Sequence, residues 1–232
     1  MDCEKNVFFR LIEHNEDFVL ISKNPGVHFH KNDGFCGLCA CIKNVIGCSK
    51  LYPLHRLDTM TSGLILFAKN RSSVKELADQ FASQSIEKYY LAIGGNKPVK
   101  KQGRVIGTMV RSRRGGWKLM ALVEYNRAIT SFLSAGLGNG FRLYLCKPLT
   151  GKTHQIRVAL KAIGAPVFGD PKYGKAVYDN GADRGYLHSY ALKFSLKGKE
   201  FKFIDTPVCG KLFLSEEFKR TFEKFADPWN LL

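Results

Sequence analysis

The chain has 232 residues, of which 45% are hydrophobic, so it is long and apolar enough for a folded domain and is not a disordered chain. No apolar run reaches the roughly 18 residues that a membrane span needs, and the first residues lack the apolar segment of a secretory signal. We therefore expect one cytoplasmic domain, residues 1–232, without a membrane attachment. Lysine and arginine outnumber aspartate and glutamate by 36 to 20, a net charge of +16 that favours a polyanion as partner.

The first predicted elements are a strand, a turn and a helix. Residues 17–22 are rich in β-branched and aromatic side chains and predict a strand, and Asn24-Pro25-Gly26 predicts a turn. Cysteines interleave with apolar residues over 35–47, which is typical of a packed helix. Cys36 and Cys39 have the spacing of a zinc ligand pair, but no second pair follows, so we predict no metal. Seven cysteines, an odd number, indicate reduced thiols.

A polar loop before a buried strand contains the main candidate for chemistry. Residues 64–68 are apolar on both faces and predict a central strand. The loop before this strand places Asp58 close in sequence to Arg56 and Thr61. A carboxylate held ionised by a nearby cation can act as a nucleophile on a sugar or base carbon. The alternative is that Asp58 is a turn or helix-cap residue.

A helix and a strand come next along the chain. Ser73 and Glu76 have the spacing of a capping box, and the residues after Ser73 recur at helical spacing on one apolar stripe. This stripe consists of Val74, Leu77, Ala78 and Phe81. Residues 87–93 predict a strand in which successive side chains alternate between faces. Tyr89 is then the core tyrosine, and Tyr90 is free to meet a ligand.

The positive charge is concentrated in one third of the sequence. Residues 88–169 contain fifteen basic residues and one acidic residue, Glu124, a net charge of +14, whereas the remainder carries +2. This segment predicts a strand, an exposed basic hairpin tip near residues 111–116, a return strand, and further strands near 127–133 and 141–147. A surface charged only for solubility is the alternative, but solubility favours interspersed signs. The segment therefore predicts a surface that binds a polyanion.

The last predicted elements complete an α+β fold. The loop 150–152 precedes a helix predicted from Thr153 to Ile163, with Thr153 as its N-cap. Helical spacing predicts a buried stripe of Ile156, Leu160 and Ile163, and an opposite stripe of His154, Arg157 and Lys161. Strands near 187–195 and 200–205 and a helix near 215–226 follow. Together the elements predict a large, mostly antiparallel or mixed sheet with flanking helices.

Several motifs in the same order resemble the RluA-type pseudouridine synthases over nearly the whole chain. They are the opening strand and turn Asp17 to Gly26, His55-Arg56-Leu57-Asp58 with Thr61-Ser62-Gly63, Glu87-Lys88-Tyr89-Tyr90-Leu91-Ala92, Thr150-Gly151-Lys152-Thr153-His154-Gln155-Ile156-Arg157-Val158, Gly169-Asp170 with Tyr173-Gly174, and Leu187-His188-Ser189. The resemblance implies isomerisation of uridine to pseudouridine in a tRNA or an rRNA by a single catalytic domain with a basic RNA-binding cleft. It implies neither a metal nor an organic cofactor, and a monomer is expected.

The resemblance also implies roles for particular residues. Asp58 would be the essential catalyst, as a nucleophile or as a base at C2′, acting on a uridine flipped out of its helix. Tyr90 would stack on the uracil, and Arg157 would pair with Asp58. The residues expected to contact the substrate are Arg56, Thr61, Lys152, His154, Gln155 and Ile156, with Lys152, His154 and Gln155 at a helix N-terminus that suits phosphate and Ile156 as an apolar wall. Asp170 would be a structural turn residue.

The sequence departs from the family pattern at a few positions. Lys152 stands where the family has arginine, which keeps the charge but loses bidentate geometry, and Ala159 stands where a histidine is common. The S4-like RNA-binding domain of many relatives is not expected, so target capture would rest on the basic segment. Two alternatives remain: a non-catalytic RNA-binding or RNA-chaperone protein with the same fold, and an aspartate-dependent hydrolase of a nucleotide or sugar phosphate.

Overall fold

The structure is a computed structural model that describes residues 8–31, 36–95, 97–113, 115–121, 126–174 and 181–232. Three residues of the sequence predictions lie outside these ranges: Phe35 of the predicted helix 35–47, Arg114 of the predicted hairpin tip, and Glu124, the one acidic residue of the basic segment. The described part of the chain contains eleven strands and four α-helices, which confirms the predicted α+β class. Within this part, no helix combines the length and the apolar character needed to cross a membrane.

The elements have the following bounds in chain order. They are β1 (Phe9–His14), β2 (Phe18–Lys23), α1 (Leu38–Ile46), β3 (Tyr52–Pro53), β4 (Ser62–Ala68), α2 (Arg71–Ala82), β5 (Glu87–Gly95), β6 (Gln102–Ser112), β7 (Gly116–Met120), β8 (Arg127–Gly138), β9 (Phe141–Pro148), α3 (Gln155–Ala162), β10 (Leu187–Leu196), β11 (Lys199–Ile204) and α4 (Glu216–Phe222). Two short 3-10 turns, Glu223–Phe225 and Pro228–Asn230, follow α4. The hairpin predicted around residues 111–116 is confirmed as β6 and β7.

The chain divides into two compact units, which are described separately. Unit 1 comprises Met1–Glu87 and Ser189–Thr206, and unit 2 comprises Lys88–His188 and Pro207–Leu232. Unit 1 has the strand order β1-β2-β4-β10, with β3 on β4 and β11 on β10. Unit 2 has the order β5-β9-β8-β6-β7, in which all neighbours are antiparallel. That one catalytic domain spans residues 1–232 stays a prediction.

Strand β4 is buried along its whole length, which confirms the predicted central strand. Its Leu64 and Leu66 belong to a core cluster with Phe18 of β2 and Leu77 of α2. Each such side chain contributes roughly 1.5–3 kcal/mol on burial. At the start of β4, Gly63 lies very close to the backbone of β10, because an added Cβ atom would lie only 2.3 Å from the backbone oxygen of Ser189. The strand therefore starts against β10 at a point where only glycine fits.

Helix α2 begins earlier and is capped differently than predicted. Its N-cap is Asn70, whose side-chain oxygen accepts a hydrogen bond from the Ser73 backbone N–H at 2.9 Å. The predicted capping box of Ser73 and Glu76 is wrong because Ser73 already lies in the first turn of the helix. Glu76 instead accepts a hydrogen bond from the backbone N–H of Lys197 at 2.9 Å. The predicted apolar stripe is confirmed at Leu77, Val74 and Phe81, which contact the core, but Ala78 is exposed.

The two faces of the unit 2 sheet carry different elements. Tyr90 on β5 pairs with Cys146 on β9, and Cys146 pairs with Phe132 on β8. Directly paired side chains share a face, as do alternate residues of one strand, so Tyr90 lies on the same face as Thr130. Gln155 of α3 donates a hydrogen bond to the Thr130 hydroxyl at 3.0 Å. Helix α3 therefore packs on the face that carries Tyr90.

The opposite face of this sheet is covered by the end of the chain. Tyr89 is fully buried, as predicted for the core tyrosine. Its ring meets Trp229 edge to face with ring centroids 5.0 Å apart, and its hydroxyl donates to the Leu232 backbone oxygen at 3.1 Å. The ammonium of Lys147 lies 4.9 Å from the centroid of the Tyr89 ring. Tyr89 therefore lies on the face that the end of the chain covers, and Tyr90 lies on the opposite face, on which α3 packs.

Helix α3 differs from its prediction at its start and in its exposure. It begins at Gln155, and its N-cap is His154 in the left-handed conformation, so the prediction of Thr153 as N-cap is wrong. The predicted buried stripe of Ile156, Leu160 and Ile163 is confirmed. Arg157, predicted on the opposite stripe, is also buried, because it forms an ion pair with the buried carboxylate of Asp170. The helix thus buries a polar side as well as an apolar one.

Candidate active site

The Asp58 loop connects β3 to β4 in unit 1. Asp58 is half-buried, and its backbone oxygen accepts a hydrogen bond from the Thr61 N–H at 3.0 Å, which closes a turn directly before β4. Thr61, predicted to contact the substrate, is 2% exposed at this turn. The fully buried strand that follows fixes the end of the loop. Asp58 thus lies on the loop before a buried strand, as the sequence predicted, and within a closed turn, which the alternative interpretation of Asp58 had suggested.

A buried lysine supports this loop from the neighbouring turn. The side chain of Lys23, at the end of β2, is buried, and its ammonium donates hydrogen bonds to the backbone oxygens of Asn24, Val27 and Thr59 at 2.9, 3.0 and 3.1 Å. The Thr59 oxygen also accepts from the Gly26 N–H at 2.8 Å. A buried charge is costly unless it is hydrogen-bonded, so these three bonds are needed. Sequence reasoning missed Lys23, although its place directly before a turn was a usable signal.

Hydrogen bonds of two histidines, His55 and His30, fix the segment just before Asp58. The Nε2 atom of His55 accepts a hydrogen bond from the Leu66 backbone N–H at 3.0 Å, so the imidazole of His55 binds the edge of β4. Arg56 is exposed, and its guanidinium lies 3.1 Å from Nε2 of His30. Since arginine only donates, His30 accepts this bond through Nε2. Arg56 is thus oriented at the surface, where a polyanion can reach it.

In unit 2, Tyr90 is half-buried on the face of the sheet that α3 covers. Lys88 lies two residues before Tyr90 on the same strand and therefore on the same face. Burial lowers the pKa of the Lys88 amine from its ordinary value. This face thus combines an aromatic ring and a partly desolvated cation, both of which suit a nucleotide ligand.

Gln155 organises the loop before α3. Its side-chain oxygen accepts hydrogen bonds from the Thr150 hydroxyl at 2.7 Å and the Lys152 backbone N–H at 2.9 Å. Its side-chain nitrogen donates to the Ile129 backbone oxygen and the Thr130 hydroxyl, both at 3.0 Å. These four bonds use the full capacity of an amide. A contact between Gln155 and RNA, as predicted, would require one of them to break.

Arg157 and Asp170 form a buried, bidentate ion pair. The Nε and Nη2 atoms of Arg157 donate to the two carboxylate oxygens of Asp170 at 2.7 and 2.8 Å. The backbone N–H groups of Lys172 and Tyr173 also donate to this carboxylate at 2.9 and 3.0 Å. Burial alone would raise the pKa of the Asp170 carboxyl, but the hydrogen bonds and charge of Arg157 outweigh it and hold the pKa below its ordinary value. These are the contacts of a structural carboxylate; the pairing of Arg157 with Asp58 stays a prediction.

The remaining predicted residues of unit 2 cluster around the start of α3. Ile156 is 6% exposed, whereas Lys152 and His154 are half-buried. The Nδ1 atom of His154 lies 2.8 Å from the hydroxyl oxygen of Tyr173. Sequence reasoning placed Tyr173 in a motif but gave it no role. The sequence feature that could have identified Tyr173 is its position three residues after Asp170 in the same motif.

The described residues contain no group of three or more histidine, cysteine, aspartate or glutamate side chains placed to hold a metal ion. The thiols of Cys36 and Cys41 lie 3.2 Å apart at the start of α1, and the thiol of Cys39 lies 3.6 Å from the Leu51 backbone oxygen. Burial raises the pKa of the Cys39 thiol from its ordinary value. Cys39 and Cys41 thus pack as part of α1, as their apolar neighbours predicted.

Comparison with known sequences matches the segment that contains most of these residues. A sequence model of the family described as RNA pseudouridylate synthase matches residues 17–162. An uncharacterized RNA pseudouridine synthase of Haemophilus influenzae is 41% identical over 79% of this chain and 81% of its own length. Ribosomal large subunit pseudouridine synthase C of Rickettsia bellii is 39% identical over 63% of this chain, which spans 50% of that protein.

Comparison with solved structures gives the same fold. The human RNA pseudouridylate synthase domain containing 1 superposes with a TM-score of 0.74 over 89% of this chain and 85% of its own, at 21% identity. The human RNA pseudouridylate synthase domain containing 4 superposes with a TM-score of 0.69 over 93% of this chain and 92% of its own, at 21% identity. At this identity the likeness concerns the fold.

Proposed function

Because the chain belongs to the RNA pseudouridylate synthase family and is an RNA pseudouridine synthase, we propose that it isomerises a specific uridine of a tRNA or an rRNA, with Asp58 as the essential catalyst. The observation that carries the proposal is the family match over residues 17–162, which includes Asp58, Tyr90 and Arg157. The RluA-type resemblance seen in the motifs is confirmed by this match. The assignment of roles to the three residues is our proposal.

The isomerisation of uridine to pseudouridine conserves all atoms and electrons of the nucleotide, so it consumes no co-reactant. The C1′–N1 bond of uridine breaks, the uracil turns, and a C1′–C5 bond forms while the C5 hydrogen leaves as a proton and N1 gains one. Asp58 acts either as the nucleophile that holds the sugar or base, or as the base that removes the C2′ proton. Both roles need a carboxylate on a fixed loop, and the turn closed by Thr61 and supported by Lys23 supports this proposal.

The proposal gives Tyr90 and Arg157 supporting roles. A uracil stacked on Tyr90 gains roughly 1–3 kcal/mol, which offsets part of the cost of flipping the base out of its helix. Arg157 is proposed to pair with Asp58 in addition to its described contact with Asp170. Ile156 would form an apolar wall beside the uracil. Gln155 would act by holding loop 150–154, since its amide is already saturated.

RNA capture is proposed to rest on the basic residues 88–169 and on Arg56. Lys152 and His154 would contact phosphate next to the reacting nucleotide. We further propose that the protein works as a cytoplasmic monomer with one catalytic domain and a basic cleft for RNA. The name of the Rickettsia protein refers to the large ribosomal subunit, which makes the rRNA of that subunit the first RNA to test.

The test is to incubate the purified protein with unmodified tRNA and rRNA transcripts and to map pseudouridine at nucleotide resolution. The proposal predicts new pseudouridine at one or a few uridines, and none with Asp58→Ala. Tight RNA binding without pseudouridine on any transcript or on ribosomal particles would favour a non-catalytic RNA-binding protein. Modification that persists in Asp58→Ala would refute the role of Asp58.

A further inference from the structure

We propose that Arg111, held on the ring of Trp117, is a stacking site for an unpaired base of the RNA. Arg111 contacts the base through its planar guanidinium, and Trp117 is the positioning residue that orients this group. The inference rests on the proposed function for its RNA partner, but its structural basis lies entirely within unit 2. It adds a contact with a base to a hairpin for which charge alone predicts contacts with phosphate.

Arg111 and Trp117 lie opposite each other on the two strands of the hairpin. They are directly paired residues of β6 and β7, so their side chains leave the sheet on the same face. The guanidinium carbon of Arg111 lies 4.5 Å from the centroid of the Trp117 ring, within the range of a cation–π contact. A guanidinium is planar and weakly hydrated, so it stacks on an aromatic ring better than an ammonium does. The contact therefore restrains a long side chain although Arg111 is exposed.

Trp117 is itself held by the core of unit 2. Its side chain is half-buried and packs against a core cluster that includes Met109 of β6 and Val158 of α3. Its backbone N–H donates a hydrogen bond to the hydroxyl oxygen of Tyr173 at 2.9 Å. An unpaired base therefore meets the stack at its exposed member, Arg111, whereas the half-buried indole keeps that member in place.

The hairpin around this stack is positively charged. Arg113 and Lys118 are exposed on it, and the side chain of Lys172 lies close to Gly116, where an added Cβ atom would lie 2.8 Å from its Cε atom. Among the described residues of the segment 88–169, none is acidic. Such cations attract the phosphates of RNA, whereas the planar guanidinium of a restrained arginine also presents a face on which an unpaired base stacks. A polyanion that carries exposed bases therefore fits the hairpin.

The stack lies on the same face of the sheet as Tyr90 but far from it. Tyr90 is aligned across the sheet with Gly103 of β6, through Cys146 and Phe132. Arg111 follows Gly103 by eight residues on β6, an even number, so it shares this face. At about 3.3 Å per residue, the stack lies roughly 26 Å along the strand from this row. The base bound there is therefore a different nucleotide from the uridine that reacts, and its loss should weaken RNA binding more than it slows the chemical step.

Two probes distinguish base stacking from charge attraction. Single-stranded oligouridylate carries bases and phosphates, whereas inorganic polyphosphate is a polyanion without bases. Arg111→Lys keeps the charge but removes the planar group, so it should weaken oligouridylate binding about fivefold or more and leave polyphosphate binding unchanged. Arg220→Lys is the matched control, since Arg220 is an exposed arginine of unit 2 outside the segment 88–169. Equal losses for both probes, or no loss for oligouridylate, would overturn the inference.

A double-mutant cycle tests the positioning role of Trp117. Trp117→Leu should weaken oligouridylate binding as Arg111→Lys does, and the double variant should bind no more weakly than either single variant, because both changes act on one contact. Trp117→Phe keeps an aromatic ring beside Arg111 and should retain most of the affinity. Additive losses in the double variant would refute the positioning role. Because Trp117 packs on the core, the unfolding midpoint and the polyphosphate affinity of Trp117→Leu show whether a general loss of structure explains its effect.

The binding measurements need no catalysis, so they separate this inference from the proposed function. If the variants behave as expected but the protein modifies no transcript, the proposed function fails and the stacking site stands. If the protein modifies RNA and Arg111→Lys binds oligouridylate as tightly as the wild type does, the inference alone fails. A wild type that binds polyphosphate but not oligouridylate would also overturn the inference. On the transcript that the mapping experiment identifies, Arg111→Lys should raise KM more than it lowers kcat.

Discussion

Two aspartates lie in different settings: we propose that Asp58 is the reactive carboxylate, whereas Asp170 has the contacts of a structural one. Asp58 is half-buried on a turn that ends at a buried strand, and the neighbouring Thr59 oxygen is bound by Lys23. Asp170 is 2% exposed and accepts hydrogen bonds from Arg157 and from two backbone N–H groups. A carboxylate with that many bound donors is stabilised in its charged form and is poorly placed to attack a substrate.

The Asp170–Arg157 pair should make the stability of the protein depend on acid pH. The pKa of Asp170 is lowered in the folded protein, so its contribution is present above the unfolded pKa of about 3.9 and is lost as pH falls towards the folded value. Asp170→Asn removes this contribution and leaves the buried Arg157 charge without its carboxylate, which should cost about 3 kcal/mol or more at pH 7. Urea unfolding of both proteins at pH 7 and at pH 3 measures both effects. A variant that loses as much stability on acidification as the wild type would contradict this account of the pair.

At the scale of single residues, the sequence indicated candidate site residues better than it indicated their hydrogen-bond and ion-pair partners. Motifs and strand alternation indicate Asp58, Tyr90 and Arg157, and Tyr90 lies on the face opposite Tyr89, as alternation predicted. That Tyr90 contacts a ligand stays a prediction. The sequence predicted Asp58 as a partner of Arg157, which stays a prediction, but it did not indicate the buried pair of Arg157 with Asp170, because helical spacing placed Arg157 opposite the buried stripe. A salt bridge between residues thirteen positions apart depends on how the chain after α3 folds back, which local patterns do not encode. The same holds for the contact of Tyr173 with Trp117, across 56 positions.

At the scale of elements, strands were predicted more accurately than helix starts. Apolar composition and alternation identified β2, β4, β5 and the β6–β7 hairpin, because a strand repeats over two residues and a short run suffices. The predicted N-caps of α2 and α3 were displaced from the observed ones by three residues and by one residue, since each helix begins with an unexpected cap. Asn70 caps α2 through its side chain, and His154 precedes α3 in a left-handed conformation. The choice of cap depends on neighbours from other parts of the chain, such as Asp17 beside Asn70.

The start of β4 gives a test of the element that carries the Asp58 loop. Gly63 has φ of 104°, and an added Cβ atom would lie 2.3 Å from the Ser189 backbone oxygen, so neither backbone can yield easily. Gly63→Ala should destabilise the fold by about 3 kcal/mol or more, as measured by chemical unfolding. Gly136→Ala is the matched control in a strand, because nothing lies within 4 Å of the added atom. Equal unfolding midpoints for the two variants would show that Gly63 is not needed for this close approach.

At the scale of the whole molecule, the charge is divided unequally along the chain. Residues 88–169 carry +14 and the rest of the chain only +2, and unit 2 contains all of the 88–169 segment. A segregated charge of this size binds polyanions by releasing their counterions, so the affinity for RNA should fall steeply as salt rises. The sequence sufficed for this inference because charge is a matter of composition. The positions of the basic groups on β6 and β7 needed the structure.

Matched charge variants test whether the basic segment forms the RNA face. Arg104, Arg113 and Lys118 are exposed on the hairpin in unit 2, and Lys50, Arg71 and Lys75 are exposed in unit 1. Replacing the first three by glutamine should reduce the salt slope of log Kd by about 0.7–0.9 for each phosphate that is no longer neutralised, whereas replacing the second three should change it little. Binding of one transcript is measured between 50 and about 200 mM salt. Equal slopes in both triple variants would contradict the assignment of RNA binding to the basic segment.

The central claim is that Asp58 carries the isomerisation, and release of tritium from RNA labelled at uridine C5 tests it most directly. Each turnover replaces the C5–H bond by the C5–C1′ bond, so released tritium counts the reaction itself. We predict release by the wild type and a loss of about 1000-fold or more for Asp58→Asn, with RNA affinity and unfolding midpoint close to the wild type. Release by Asp58→Asn at a rate near that of the wild type would contradict the account.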